Sequence, residues 1–246
     1  MRVPSSAELL QAWEHGLSAP PALRGLALLT AASDGEPPEA LTQLSVGERD
    51  RRLLTLREWT FGPALTNVAE CAACGESLEW SIRTSELCAS APVAASELSV
   101  ERGLYRVHFR LPTTADLSAL MPGAGDGDAA DPGDVLLARC IVRAECDGEP
   151  IDVDAVPEDV RQAIDAAMAA ADPQADTTFD LACPACGHAW MVALDIESYF
   201  WRELTAWAER VLQDVHALAC AYGWSERDIL ALSAWRRQFY LSQVGV

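Results

Sequence analysis

The chain has 246 residues and a mass of 26.5 kDa; half its residues are hydrophobic, and 37 Asp and Glu against 18 Lys and Arg give a formal net charge of -19. That size and apolar content allow a buried core and exclude a disordered chain, while the charge argues against affinity gained by neutralising nucleic-acid phosphates, which needs clustered Lys and Arg. No charged-then-apolar leader and no uncharged run of about 18 residues is present, so the expectation is a cytoplasmic protein without membrane association.

Residues 1–40 are rich in Ala, Pro, Ser and Leu and read as a flexible arm, with short helices near Ala7 to Glu14 and Ala22 to Ala31 broken by Pro20-Pro21 and Pro37-Pro38. Residues 41–70 read as a helical segment. Ser45-Val46-Gly47-Glu48 has the S-x-x-E form of a capping box there, and Leu53, Leu56 and Trp59 or Thr60 follow at helical spacing until Gly62-Pro63 ends or redirects the helix. Residues 71–198 read as a zinc ribbon with an inserted region. Within it, Ser77 to Arg83, Leu104 to Leu111, Thr177 to Leu181 and Ala189 to Leu194 alternate as strands do. Thr113 or Thr114 begins a short helix, Val135 to Val142 fits a buried helix or strand equally, and Pro157 to Ala171 is an Ala-rich helix with acids at its start. Residues 122–134 form a Gly/Asp/Ala-rich connector expected to be a mobile loop. Its Asp126, Asp128, Asp131 and Asp134 resemble a calcium loop in composition only, lacking the bidentate Glu and helical flanks, and read as solvated linker residues. Residues 199–246 are helical: Phe200, Leu204, Trp207, Val211, Val215 and Leu218 fall on one stripe, Gly223 ends that helix, and Ser225 with Asp228 caps the next.

Chemistry concentrates in two Cys-x-x-Cys-Gly turns, Cys71-Ala72-Ala73-Cys74-Gly75 and Cys183-Pro184-Ala185-Cys186-Gly187. In such a turn, backbone N–H groups point back at the thiolates, and two turns supply the four ligands of a tetrahedral site. Cys71, Cys74, Cys183 and Cys186 are therefore the candidate ligands of one structural Zn2+. Four thiolates leave no open position for catalysis. His188 either joins that site or is a solvated or hydrogen-bonded structural histidine. Cys88, Cys140, Cys146 and Cys220 show no ligand spacing and read as small buried residues. His15, His108, His188 and His216 lie in separate segments, with no nucleophile elbow, phosphate-binding loop or HExxH helix. His216, beside the apolar stripe, reads as a packed or hydrogen-bonded core histidine.

The last segment also carries Trp201, Trp207, Trp224 and Trp235 with Tyr222, Phe239 and Tyr240, a density that makes either a helical core or a partner-binding surface. Arg236 and Arg237 either anchor a partner carboxylate or terminate a helix favourably. The candidate partner-binding set is Tyr222, Trp224, Trp235, Arg236, Arg237 and Tyr240. The expected fold is α+β and mainly helical: a helical N-terminal part, a central zinc ribbon of small antiparallel strands with a long insertion, and a C-terminal helical hairpin or bundle.

In order, ALTQLSVGERDRRLLTLREWTFG, CAACGESLEW, FRLPTTADLSAL, DPQADTTFDLACPACGHAW and DIESYFWRELTAWAERVLQDVHALACAYGWSERDILALSAWRRQFYL resemble the T4-type phage baseplate hub assembly chaperone family of phages and contractile injection systems. The resemblance runs from about Ala40 to Val244 and leaves out the N-terminal arm and the loop of 122–134. It implies a non-enzymatic assembly factor or minor component whose partners are hub, spike or wedge proteins, acting in the cytoplasm or built into the particle. It also implies that the four cysteines are zinc ligands and that Tyr222, Gly223, Trp224, Arg236, Arg237 and Tyr240 mark the family's terminal segment. The competing expectation is a zinc-ribbon nucleic-acid-binding or transcription-associated protein whose Arg236 and Arg237 contact phosphates; the net charge opposes it.

Overall fold

The computed structural model describes residues 1–88, 97–120 and 131–244. The chain opens with helices α1 (Ser6–Ser18), α2 (Pro21–Ala32), α3 (Pro38–Thr42) and α4 (Val46–Phe61), then strands β1 (Ala64–Glu70) and β2 (Ser77–Arg83) and the short helix α5 (Thr84–Leu87). Strands β3 (Leu98–Arg102) and β4 (Tyr105–Phe109) precede helices α6 (Thr114–Leu120) and α7 (Pro132–Cys140), strands β5 (Ile141–Cys146) and β6 (Glu149–Pro150), and helix α8 (Glu158–Ala171). Strands β7 (Thr178–Ala182) and β8 (Ala189–Ala193) lead to helices α9 (Ile196–Tyr222), α10 (Glu226–Leu230) and α11 (Ala234–Val244). Helices and small antiparallel sheets together make the fold α+β. Among the described residues, no helix is long and apolar enough to cross a membrane.

Two compact units result, Met1–Pro38 with Asp195–Val246, and Glu39–Leu194. The first is all helical. Ser5 caps α1 reciprocally: its side chain accepts from the Glu8 N–H, and the Glu8 carboxylate accepts from the Ser5 N–H at 2.8 Å. Hydrogen bonds from Arg2, then from Ser5, lower the Glu8 carboxyl to about 2. Leu9, Leu10, Leu28 and Leu29 are buried, so the segment read as an arm packs as helices α1 and α2 against each other and against α9. Gly16 permits part of that approach, since a Cβ there would sit 2.1 Å from the Trp201 ring. Arg24 stacks over the same ring at 5.1 Å, and the buried Glu197 carboxylate accepts from the Gly25 N–H at 2.8 Å. The stripe read on α9 holds: Phe200, Leu204, Val211, Val215 and Leu218 are buried, Trp207 packs partly buried beside them, and Gly223 ends the helix with φ 69°.

The second unit contains a four-stranded antiparallel sheet in the order β3-β4-β5-β6. Val107, Phe109 and Ala144 from the sheet form its core with Leu137 of α7, Val156, and Val160 and Ile164 of α8. Ser45 caps α4 by accepting from the Glu48 N–H, but only half of the capping box forms, because the Glu48 carboxylate turns to Arg51 and Arg52 at 2.7 Å each. Beside the sheet, Asp116 is almost wholly buried and accepts two hydrogen bonds from Arg110 and two from Thr113. The ambiguous Val135 to Val142 is divided, helix up to Cys140 and strand from Ile141. Of the connector, residues 122–130 lie outside the described residues. Asp131 caps α7 through the Gly133 N–H, and Asp134 in the first turn of α7 pairs with Arg161 of α8 at 3.3 Å; both acids are exposed, but they belong to a helix start rather than to a linker.

Candidate metal centre

Each cysteine pair forms the tip of a β-hairpin. Strands β1 and β2 pair antiparallel with Glu70 opposite Ser77, and β7 and β8 with Ala182 opposite Ala189, leaving residues 71–76 and 183–188 as matching loops. The loops close the same way. The Cys71 N–H donates to the Glu76 carbonyl and the Gly75 N–H to the Cys71 carbonyl, both at 2.8 Å; the Cys183 N–H donates to the His188 carbonyl at 2.8 Å and the Gly187 N–H to the Cys183 carbonyl at 2.9 Å. Such a turn needs a left-handed residue after the second cysteine, and Gly75 and Gly187 supply it with φ of 77° and 75°. Trp80 of β2 meets Phe179 of β7 edge to face at 5.6 Å, joining the hairpins through an aromatic contact.

The four sulfurs converge, all within 4.8 Å of one another. Cys71 Sγ lies 3.7 Å from Cys186 Sγ and Cys74 Sγ lies 3.6 Å from Cys183 Sγ, so the first cysteine of each loop meets the second of the other. Disulfide bonds need about 2.05 Å, and the cysteines are free. A tetrahedron of sulfurs bonded at about 2.3 Å to a central ion has edges of about 3.8 Å, so the donor set fits a metal ion. Cys71 and Cys183 are buried while Cys74 and Cys186 are exposed. Burial pushes the Cys71 thiol up, yet hydrogen bonds from the Ala73 and Cys74 amides and from the Cys186 and Cys74 thiols bring it down to about 7. Cys74 moves to about 12: the Glu76 amide favours its thiolate, but hydrogen bonding with the Cys186 and Cys183 sulfurs outweighs it. Four adjacent thiols compete for one negative charge, and a cation among them relieves that competition.

His188 contributes its backbone to the loop, while its ring is exposed and stacks on Trp190 at 5.6 Å, outside the sulfur cluster. Among the described residues, no second group of three or more metal-ligating side chains occurs. Of the remaining cysteines, Cys140 is buried as expected, Cys146 is half-buried, and Cys88 and Cys220 are exposed. His216 is exposed as well and not a core histidine: it follows Val215 on α9, and a step of one residue turns it off the buried stripe.

The six candidate partner-binding residues divide between surface and interior. Trp235 and Phe239 stack at 5.9 Å with 75% and 50% of their surfaces exposed, and Arg236 is exposed beside them. Tyr222 stacks on Trp224 at 4.7 Å, and Trp224 meets Tyr240 edge to face at 4.9 Å, with Trp224 and Tyr240 packed against the helical core. Arg237 is buried, its Nε and Nη1 without hydrogen-bond partners. The exposure of Phe239 was missed in the sequence, where its spacing of four from Trp235 was the available signal.

These features define a mixed helix and sheet protein whose hairpin tips gather four cysteines suited to a metal ion. Residues 26–201 match the family described as T4 bacteriophage base plate protein, and the chain belongs to that family. The match begins in α2 and ends in α9, so it takes in residues before Ala40 and the loop of 122–134, and stops short of α10 and α11. No curated protein and no solved structure matches the chain.

Proposed function

We propose that this protein is a non-enzymatic assembly factor, or a minor component, of the baseplate or hub of a phage-tail-like contractile injection system, and that one structural Zn2+ held by Cys71, Cys74, Cys183 and Cys186 fixes its hairpins as a zinc ribbon. The observation that carries the reading is the family match across both cysteine loops. Zinc suits the donor set, because a tetrahedral shell of four thiolates satisfies a thiophilic ion without redox chemistry and leaves no position for substrate. The partners are hub, spike or wedge proteins, met in the cytoplasm before or during incorporation into a particle. They dock on the exposed face of α11 at Trp235 and Arg236, extended by Phe239 and Tyr222, with Trp224, Tyr240 and Arg237 supporting that face from beneath.

The test is affinity capture of the tagged protein from its native host, with mass spectrometry of cleared lysate and of purified contractile particles. Hub or spike proteins co-purifying from lysate are expected. The protein's absence from finished particles would make it an assembly chaperone, and its presence a structural component. Tail proteins missing from both fractions would overturn the reading.

A further inference from the structure

The sulfurs of the four-cysteine cluster meet across the two loops, Cys71 with Cys186 at 3.7 Å and Cys74 with Cys183 at 3.6 Å. Each of these pairs joins a buried cysteine to an exposed one. An oxidant from solvent therefore reaches one member first and has the second beside it, the arrangement of an attacked and a resolving cysteine. A disulfide holds its sulfurs about 2.05 Å apart, so each pair has about 1.6 Å to close. Turning the side chains about their Cα–Cβ bonds covers that distance, because the Trp80 and Phe179 rings already hold the hairpins together.

We propose that the cluster is a redox-modification site: in the metal-free protein a hydroperoxide converts it into two cross-loop disulfides, Cys71–Cys186 and Cys74–Cys183. The Cys74 sulfur attacks the terminal peroxide oxygen; the O–O bond breaks, leaving a sulfenic acid on Cys74 and releasing an alcohol, or water from hydrogen peroxide. The Cys183 sulfur then attacks Cys74 Sγ, the S–O bond breaks, and the hydroxyl leaves as water with the Cys183 proton. Each disulfide thus takes two electrons from the sulfurs and reduces one peroxide, and Cys186 with Cys71 repeats the sequence. The products tie positions 109 and 115 residues apart, so the hairpins stay joined without an ion. A bound cation occupies the sulfur lone pairs that attack the peroxide and so delays the reaction. That protection rests on the metal-centre reading; the pairing of the sulfurs does not.

The test treats the full chain, stripped of metal with a strong chelator and verified metal-free, with hydrogen peroxide, then alkylates it and digests it with trypsin without reduction. Arg57, Arg83, Arg161 and Arg202 place the first loop in the peptide 58–83 and the second in 162–202. The two separate peptides are expected to be lost in favour of one joined species that reduction splits, with fragmentation showing Cys71 bonded to Cys186 and Cys74 to Cys183. Disulfides within each loop, recovered as two separate oxidised peptides, or cysteines that end as sulfinic acids, would overturn the pairing. Zn2+-loaded protein is expected to yield the joined species at least about tenfold more slowly, and an equal rate with the ion verified in place would overturn the protection. A chain that takes up no Zn2+ yet forms the joined species would overturn the metal-centre reading and uphold the pairing.

Discussion

Asp116 shows how one carboxylate organises its surroundings. Hydrogen bonds from Arg110, opposed by burial and reinforced by Thr113, hold its carboxyl well below the usual aspartate range. The folded pKa is the depressed one, so its contribution to stability is complete above the ordinary value of 3.8 and is lost as pH falls from there toward the folded pKa. Asp116→Asn turns an amide N–H toward donors that need an acceptor, and is expected to cost about 2–3 kcal/mol at neutral pH. Urea unfolding of variant and wild type, at pH 7 and again near pH 3, checks this; the difference narrows at the lower pH. Part of this is written locally, since Thr113 and Asp116 cap the start of α6 three residues apart and Arg110 lies only six residues from Asp116, but the burial that makes the carboxylate costly to disturb is not visible in the sequence. The four candidate metal ligands are the opposite case: their chemistry requires two donors within one tight turn, so the spacing and the following glycine are written locally. His216 was misplaced because one position along a helix separates an inward from an outward side chain.

The elements were most legible where one period ran long. The stripe on α9 and the alternation of β2, β7 and β8 needed no distant information. Strands β1 and β3 were missed because their residues become strand-like only when β2 and β4 pair with them. The packing of α1 and α2 was missed for a related reason, since part of it is against α9, far along the chain. Gly16 carries a prediction at this scale. In Gly16→Ala the new methyl would overlap the Trp201 ring, forcing α1 or the indole to shift at a cost of about 1–3 kcal/mol despite alanine's better helix propensity. Chemical denaturation should show lower stability; a gain would mean that the ring gives way freely.

At the scale of the molecule, the sulfur cluster joins positions far apart: Cys74 and Cys183 are 109 residues apart in sequence. A cross-link closing a loop of about 100 residues removes enough freedom from the unfolded chain to stabilise the fold by about 4–5 kcal/mol in the entropic treatment used for disulfides. With the proposed Zn2+ in place, stripping it with a strong chelator is therefore expected to lower the melting temperature by about 10 °C or more. Scanning calorimetry with metal content measured on the same sample decides it, and an unchanged melt after verified metal loss would remove the cross-link.

The division of the chain also bears on how it is made. Residues of the first unit lie at both ends, 1–38 and 195–246, so the middle of the chain can complete its own unit on the ribosome while α1 and α2 still await α9. Until α9 emerges, the first two helices have only each other to pack against. Translation thus sets an order in which a later stretch closes what an earlier one began, and a product truncated before Asp195 would keep the unit with the four cysteines intact while leaving α1 and α2 without their α9 contacts and open to proteases and chaperones.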